Sequence, residues 1–369
     1  MSKAAELAAL IGSQTALSNR NLIINGAMQV AQRGTSATVG PNGTGEGYTV
    51  VDRFQNSLTG SVVSTFSQST DAPSEFANSA KIEITTADTS LGGTEFWHLR
   101  YGFEGQDLQS IAKGTSDAKA LTVSFWVKSN KTGTYTVELQ DIDNSRRNSL
   151  AYTINSSNTW EHKSLTYNPD TAGSGFANSN AQSLRMNFWF VAGADFKSGT
   201  FYNGTWGVED NAKRVHSSQV NLGDTVGNEW YITGVQMELG EQDTPFEHRS
   251  FGDELRRCQR YYWQLSIGVH GNYPSWAATG YNTNQCNVNL PFPVPMRTIP
   301  TASFNVGNVN YYRFYRGGSF ENFTNVATDT ITREHLNMYG DGLSHTQGLN
   351  GSLQIRLADN AGVFVTAEL

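Results

Sequence analysis

Apolar and polar residues alternate with period two through much of the first 240 positions. Ile82 and Ile84 fall in phase against Lys81 and Glu83. Leu121, Val123, Phe125 and Val127 stand against Thr122, Ser124, Trp126 and Lys128, and Tyr135, Val137 and Leu139 against Thr136 and Glu138. Leu184, Met186, Phe188 and Phe190 form another such face. Alternation of this kind puts one side of a strand in a core and the other away from it. Repeated between Gly-rich turns, it predicts two stacked antiparallel sheets, each with one face in a shared core.

The pattern changes between Trp230 and Leu265. Trp230 to Leu239 reads as a strand, Gly240 to Asp243 as the turn that stops it, and Pro245 as a block to any quick return to a ladder. Ser250 then stands where a helix N-cap would, with Asp253 and Glu254 in the first turn, where the macrodipole favours acids. Arg256, Arg257 and Arg260 come next, Asp253 and Arg257 make an i,i+4 pair, and Leu255 and Cys258 supply a small apolar side. The reading is strand, turn, short helix, new strand. It divides the chain into a segment 1–20, a sandwich 21–248, a helical connector 249–264 and a distal β-domain 265–369.

Within 1–20, Ala4, Leu7, Leu10 and Ile11 share one helical face on a stretch too short to be stable alone. Such a stripe requires a partner: copies of itself about an axis, a socket on another protein, or its own domain. Leu22 to Ile24, the Asn25-Gly26 turn signal and Tyr48 to Phe54 predict the first edge of a sheet, with Asp52 and Arg53 fixing a turn. Beyond 265, Cys286, Val288 and Leu290 alternate with Asn287 and Asn289. The prolines of PFPVPMRTIP then break the ladder, and Ser352 to Ala358 and Gly362 to Ala367 read as closing strands.

Composition narrows the function classes. Only 16% of the 369 residues are charged and the net charge is −7, which argues against nucleic acid as a partner. Two cysteines, Cys258 and Cys286, make no disulfide framework and are expected to be free, buried thiols. The longest apolar run, Phe188 to Ala194, is too short to enter a bilayer as a spanning helix, and no adequate secretory core opens the chain. Production in a cytoplasm, without membrane insertion, is therefore expected.

None of the seven histidines has metal-motif spacing, and no nucleophile elbow, phosphate-cradling loop or dinucleotide fingerprint occurs. The nearest acid pairs, Glu209 with Asp210 and Asp141 with Asp143, lie beside Asn or Gly, where acids serve turns, so no catalytic residue is assigned. No cofactor is expected beyond a structural calcium, for which Asp141 and Asp143 could offer oxygens; a solvated turn is the alternative. Sugar recognition would use aromatic faces among amides. Tyr273, Trp276, Tyr281, Tyr311, Tyr312 and Tyr315 have that setting, against the alternative of core or interface aromatics. Trp126 and Trp189, opposite the apolar phase of their strands, are second candidates.

The junction VQMELGEQDTPFEHRSFGDELRRCQRYY resembles a sequence that recurs in tail-fibre and related virion proteins of tailed bacteriophages and prophages. NRNLIINGAMQVAQRGT, YTVVDRF and PFPVPMRTIPTASF belong to the same resemblance, in the expected order. LTVSFWVKSNKTGTYTVEL followed by NTWEHKSLTYN is similar to the jelly roll of carbohydrate-binding modules. The resemblance implies an all-β protein: a jelly-roll β-sandwich followed by a smaller antiparallel β-domain, with a short N-terminal helix. It also implies a homotrimer on the virion exterior, joined to another virion protein through the segment of Leu7, Leu10 and Ile11. The function it implies is non-enzymatic attachment to a host surface glycan. The rivals are a head-decoration or tail-adaptor protein and, disfavoured for want of an organised acid pair, a polysaccharide depolymerase.

Overall fold

The alternating stretches become strands with their apolar phase turned to a core. A computed structural model describes residues 20–41, 44–266, 275–304, 311–355 and 362–369. These residues form two units, divided between Glu254 and Leu255, inside the expected connector.

Twelve strands build the first unit among the described residues: β1 (Ser36–Val39), β2 (Phe54–Thr59), β3 (Val63–Ser69), β4 (Ser79–Thr86), β5 (Phe96–Glu104), β6 (Leu121–Ser129), β7 (Gly133–Asp141), β8 (Arg146–Ile154), β9 (Glu161–Tyr167), β10 (Gln182–Ala192), β11 (Gly207–Val208) and β12 (Glu229–Leu239). They pair as two six-stranded antiparallel sheets, β1-β3-β4-β12-β6-β9 and β11-β8-β7-β10-β5-β2. From β4 to β7 the chain changes sheet at each step, which makes a jelly-roll sandwich. Phe125, Val127, Phe188, Phe190, Trp230 and Ile232 meet in its core, as their phase requires.

Residues 21–34 depart from expectation. No strand forms there. Asn25 takes a left-handed conformation (φ 63°) straight after Ile24, and its side chain bonds both the N–H and the carbonyl of Val30 and the carbonyl of Asp52. A left-handed residue other than glycine is strained within a strand, and here the side-chain bonds of Asn25 fix the chain in a turn, so the run stops. The segment lies instead along β12, with Leu22 N donating to the Met237 carbonyl and Val235 N to the Gly26 carbonyl. Gly26 must be glycine, since a Cβ would stand 2.1 Å from the Val235 oxygen. Asp52 and Arg53 do fix a turn. Asp52 Oδ1 accepts from Gln32 N at 2.9 Å, and Arg53, at φ 74°, donates to the Gly102 carbonyl at 2.9 Å.

Helix α1 (Phe251–Gln259) forms at the capping signals. Ser250 Oγ accepts from Asp253 N at 3.2 Å and donates to Asp253 Oδ2 at 2.6 Å.

The second unit holds β13 (Tyr262–Ser266), β14 (Ser275–Gly280), β15 (Gln285–Pro291), β16 (Thr301–Phe304), β17 (Tyr312–Arg316), β18 (Ser319–Asn322), β19 (Asn325–Ile331), β20 (His335–Asp341), β21 (Asn350–Ile355) and β22 (Gly362–Thr366). Their sheets run β13-β22-β16 and β18-β17-β21-β14-β15-β20-β19. Trp263, Met296, Phe314, Leu336, Leu353 and Val363 share its core. Cys258 and Cys286 are buried and not joined by a disulfide, as expected, and burial pushes the Cys286 thiol up to about 12.

Candidate functional site

The outer face of the first sheet carries the strongest candidate, and a β-bulge makes it. Along β12 and β6 the register runs Thr233↔Trp126 and then Gln236↔Ser124, so Gly234 and Val235 together oppose Phe125. A bulge of this kind bends the strand and re-aims its neighbours. Gly234 takes φ 62°, and a Cβ there would meet the Phe76 ring at 2.7 Å, so only glycine fits. A cleft of about 310 Å³ opens over this point, lined by Glu75, Ser124, Trp126, His162, Gly234, Asp243, Thr244, Pro245 and Phe246.

Each wall has its own anchor. Trp126, half-buried, meets the His162 ring of the neighbouring strand at 5.2 Å between centroids, as their register dictates. The turn after β12 is pinned by the buried Glu238, which accepts from Thr244 N at 2.9 Å, Thr244 Oγ1 at 2.8 Å and Gln236 Nε2 at 2.9 Å. That turn brings Asp243 Oδ2 to 3.9 Å from His162 Nδ1. It also brings Phe246 edge-on to Phe76 at 5.1 Å. Thr233, the cross-strand partner of Trp126, is fully buried and its hydroxyl has no hydrogen-bond partner. An indole face, an imidazole, a serine hydroxyl and two carboxylates around a hollow can stack a sugar ring and bond its hydroxyls.

Beside the cleft, the next row of the same face is occupied by the protein's own groups. Lys128 extends over Tyr231 and Trp160, with its ammonium 4.3 and 5.3 Å from the ring centroids, and pairs with Asp71. Asp71 also accepts from Trp160 Nε1 at 3.1 Å. The hydrogen bond from Lys128 holds the Asp71 carboxyl below the usual carboxylate range, against the opposing pull of its partial burial.

The outer face of the second sheet is closed. The chain after β10 folds back over it, and Phe196 and Val215 bury Trp189 completely. Beneath this cover Glu138 accepts from Arg147 Nη1 at 2.7 Å, Arg214 Nε at 2.9 Å, Asn187 Nδ2 at 2.9 Å and Trp189 Nε1 at 3.1 Å. Burial alone would raise the Glu138 carboxyl. The Arg214 and Arg147 guanidiniums outweigh it and hold the group well below its ordinary value.

The residues singled out from sequence are scattered. Asp141 is fully buried, and the ammonium of buried Lys113 stands 2.9 Å from its Oδ2, bonded also to the carbonyls of Ala172 and Ser174. A lysine head thus sits among the oxygens expected to hold a calcium ion. Asp143 turns elsewhere and accepts from Ala177 N at 2.9 Å. Glu209 pairs with Arg147, and Asp210 caps a short turn through Ala212 N at 3.0 Å. Neither acid pair is set to face a substrate together.

Among the aromatics, Tyr312 is a correction: it is 2% exposed in the second core and its phenol donates to the Gly362 carbonyl at 2.6 Å. Trp276 and Tyr311 pack half-buried against that core. Tyr281 and Tyr315 are exposed. Trp189 is the second correction, since it is covered. Tyr273, Leu7, Leu10 and Ile11 lie outside the described residues. Sequence reasoning misses Glu75, His162, Asp243 and Phe246; Gly234 inside a strand pattern is the available signal, because it marks a bulge.

No protein-family model matches the chain, and no curated protein does. Among solved structures, the enzymatically active domain of Bacteriophage CBA120 tailspike protein 4 aligns over 60% of this chain and 21% of its own, at 14% identity and a TM-score of 0.32. The Family 11 carbohydrate-binding module from Clostridium thermocellum, solved with a mixed-linked tetrasaccharide, aligns over 57% of this chain and 98% of its own, at 9% identity and a TM-score of 0.28. TmCBM61, solved with β-1,4-galactotriose, aligns over 61% and 100%, at 9% identity and a TM-score of 0.28. Likenesses this distant assign no ligand to this chain.

Proposed function

We propose that this protein is an exterior virion protein of a tailed phage that holds a host surface glycan, without cleaving it, in the cleft at Trp126. The observation that carries the reading is the half-buried indole in the wall of a hollow lined by hydrogen-bonding groups, on the sheet face of the sandwich that the described chain leaves open. The phage setting rests on the junction and framework stretches in the sequence. Several copies on one particle would raise a weak single-site affinity through multivalency. The exposed Tyr281 and Tyr315 favour a second contact in the second unit.

The test is adsorption of the intact protein to host cells and to their extracted surface polysaccharide, with Trp126→Ala in parallel. The expected result is binding without release of reducing ends, lost in the variant. Release of reducing ends that disappears in Glu75→Gln or Asp243→Asn would replace binding with depolymerisation. Binding only to another virion protein would favour the head-decoration or tail-adaptor reading.

A further inference from the structure

The first unit repeatedly builds one kind of box, an aromatic face beside a carboxylate, and fills it with an ammonium. Lys128 occupies the first example, 4.3 Å from the Tyr231 centroid and 5.3 Å from that of Trp160, with Asp71 as its counter-charge. Lys113 occupies the second, 5.7 Å from the Phe176 centroid and 2.9 Å from Asp141 Oδ2. An aromatic face attracts a cation through its quadrupole, and a neighbouring carboxylate adds direct Coulomb attraction.

The cleft has the same parts and lacks the lysine ammonium. Trp126, His162 and Phe246 supply the rings, and Glu75 and Asp243 the carboxylates. Among the described residues no lysine or arginine lines it. Lys128, two positions along β6, is committed to Asp71, and Lys163 on β9 pairs with Glu161 at 2.6 Å. Buried Glu238, bonded to Thr244 and Gln236, adds negative charge behind the wall. An acidic sugar would meet two carboxylates there and no lysine or arginine. A protonated amine would complete the pattern that Lys128 and Lys113 fill.

We infer that the cleft selects a ligand bearing an ammonium, which in a glycan is a hexosamine whose amino group is free. This deepens the glycan-binding reading and depends on it. The ring would lie on Trp126 and its amine between Asp243 and Glu75, where the cation and the stacking surface act on the same sugar.

Calorimetric titration of the intact protein with the β-1,4-linked tetramers of glucosamine, N-acetylglucosamine and glucose tests the inference. The glucosamine tetramer is expected to bind about tenfold more tightly than the other two, with a preference that shrinks as salt is added. The Glu75→Gln, Asp243→Asn double variant, altered only at exposed positions, should bring the ratio of glucosamine-tetramer to glucose-tetramer affinity close to one, whatever it does to the affinity for either. Trp126→Ala should lose all three. If the glucosamine tetramer binds no better than the glucose tetramer, the inference is overturned, and so it is if the double variant keeps the full preference. Adsorption to host polysaccharide judges the reading beneath it separately: Trp126-dependent adsorption without an amine preference leaves glycan binding standing, and loss of both removes it.

Discussion

Trp126 and Trp189 occupy equivalent places in the pattern, each in the polar phase of a well-alternating strand, and the fold treats them oppositely. Trp126 remains half-buried in the wall of an open cleft; Trp189 is fully buried, with the Arg214 guanidinium over its ring at 4.7 Å and Phe196 tilted against it at 5.4 Å. The difference lies in the chain that covers, or fails to cover, each strand. After β10 the chain turns at Gly193, where a Cβ would stand 2.2 Å from the carbonyl oxygens of Gly92 and Gly93, and returns across the sheet. Around Trp126 a bulge and a pinned turn build walls without a lid. Alternation therefore says which side of a sheet a residue is on. Whether that side is later covered depends on chain far away in sequence.

The contrast can be broken most forcefully at Trp189. Trp189→Ala should cost about 3–5 kcal/mol in denaturant unfolding, as large-to-small changes in a core do, and leave the cleft's ligand affinity within error. Trp126→Ala should cost less than about 2 kcal/mol, because part of its surface is already in water. Equal losses at the two sites would mean that both faces are covered.

Glu138→Gln should destabilise by about 3 kcal/mol, since it leaves half-buried Arg214 without its counter-charge and buried Arg147 with Glu209 alone. The same carboxylate gives a pH signature. Its pKa in the folded chain is depressed, so its contribution is complete above the unfolded carboxylate value of about 4.3 and is lost as pH falls toward the folded one. Thermal unfolding of the native chain should therefore show a falling midpoint below about pH 4.3, and Glu138→Gln should flatten that fall. A variant that declines as steeply as the native chain would remove Glu138 as its source.

Lys113→Met should cost about 2–3 kcal/mol by leaving the Asp141 carboxylate buried without its ammonium. Recovery of that loss on adding calcium would show that the surrounding oxygens form a general cation cage. The smallest effects separate two neighbouring tyrosines. Tyr312→Phe should lose about 1 kcal/mol with its buried hydrogen bond, whereas Tyr315→Ala should stay within about 0.5 kcal/mol.

The parts of the fold legible in the sequence are those set by local chemistry. The apolar phases of β4, β6, β7 and β10 point inward as read, and Ser250 caps α1 with Asp253 answering it. Residues 21–34 escape a propensity reading because a left-handed Asn25 outweighs the β-rich Leu22 to Ile24. The candidate site is only partly legible. Trp126 can be placed on an outer face, but its companions Glu75 and Asp243 stand 168 positions apart and line one cleft only in the folded chain. Lys113 gives no signal at all, because its partners Asp141 and Asp170 lie 28 and 57 positions downstream and only the folded sandwich gathers them. Tyr312 defeats the reading for a simpler reason: in a run of closely spaced aromatics, strand phase alone decides which rings enter the core.

Hydroxyl-radical footprinting of the intact protein, with and without host surface polysaccharide, tests the cleft most directly. Trp126 and Phe246 should be modified in the free protein and protected by the polysaccharide, while Trp189 stays unmodified in both. Unchanged modification of Trp126, with protection appearing instead at Tyr281 or Tyr315, would place recognition in the second unit and contradict the account given for the first.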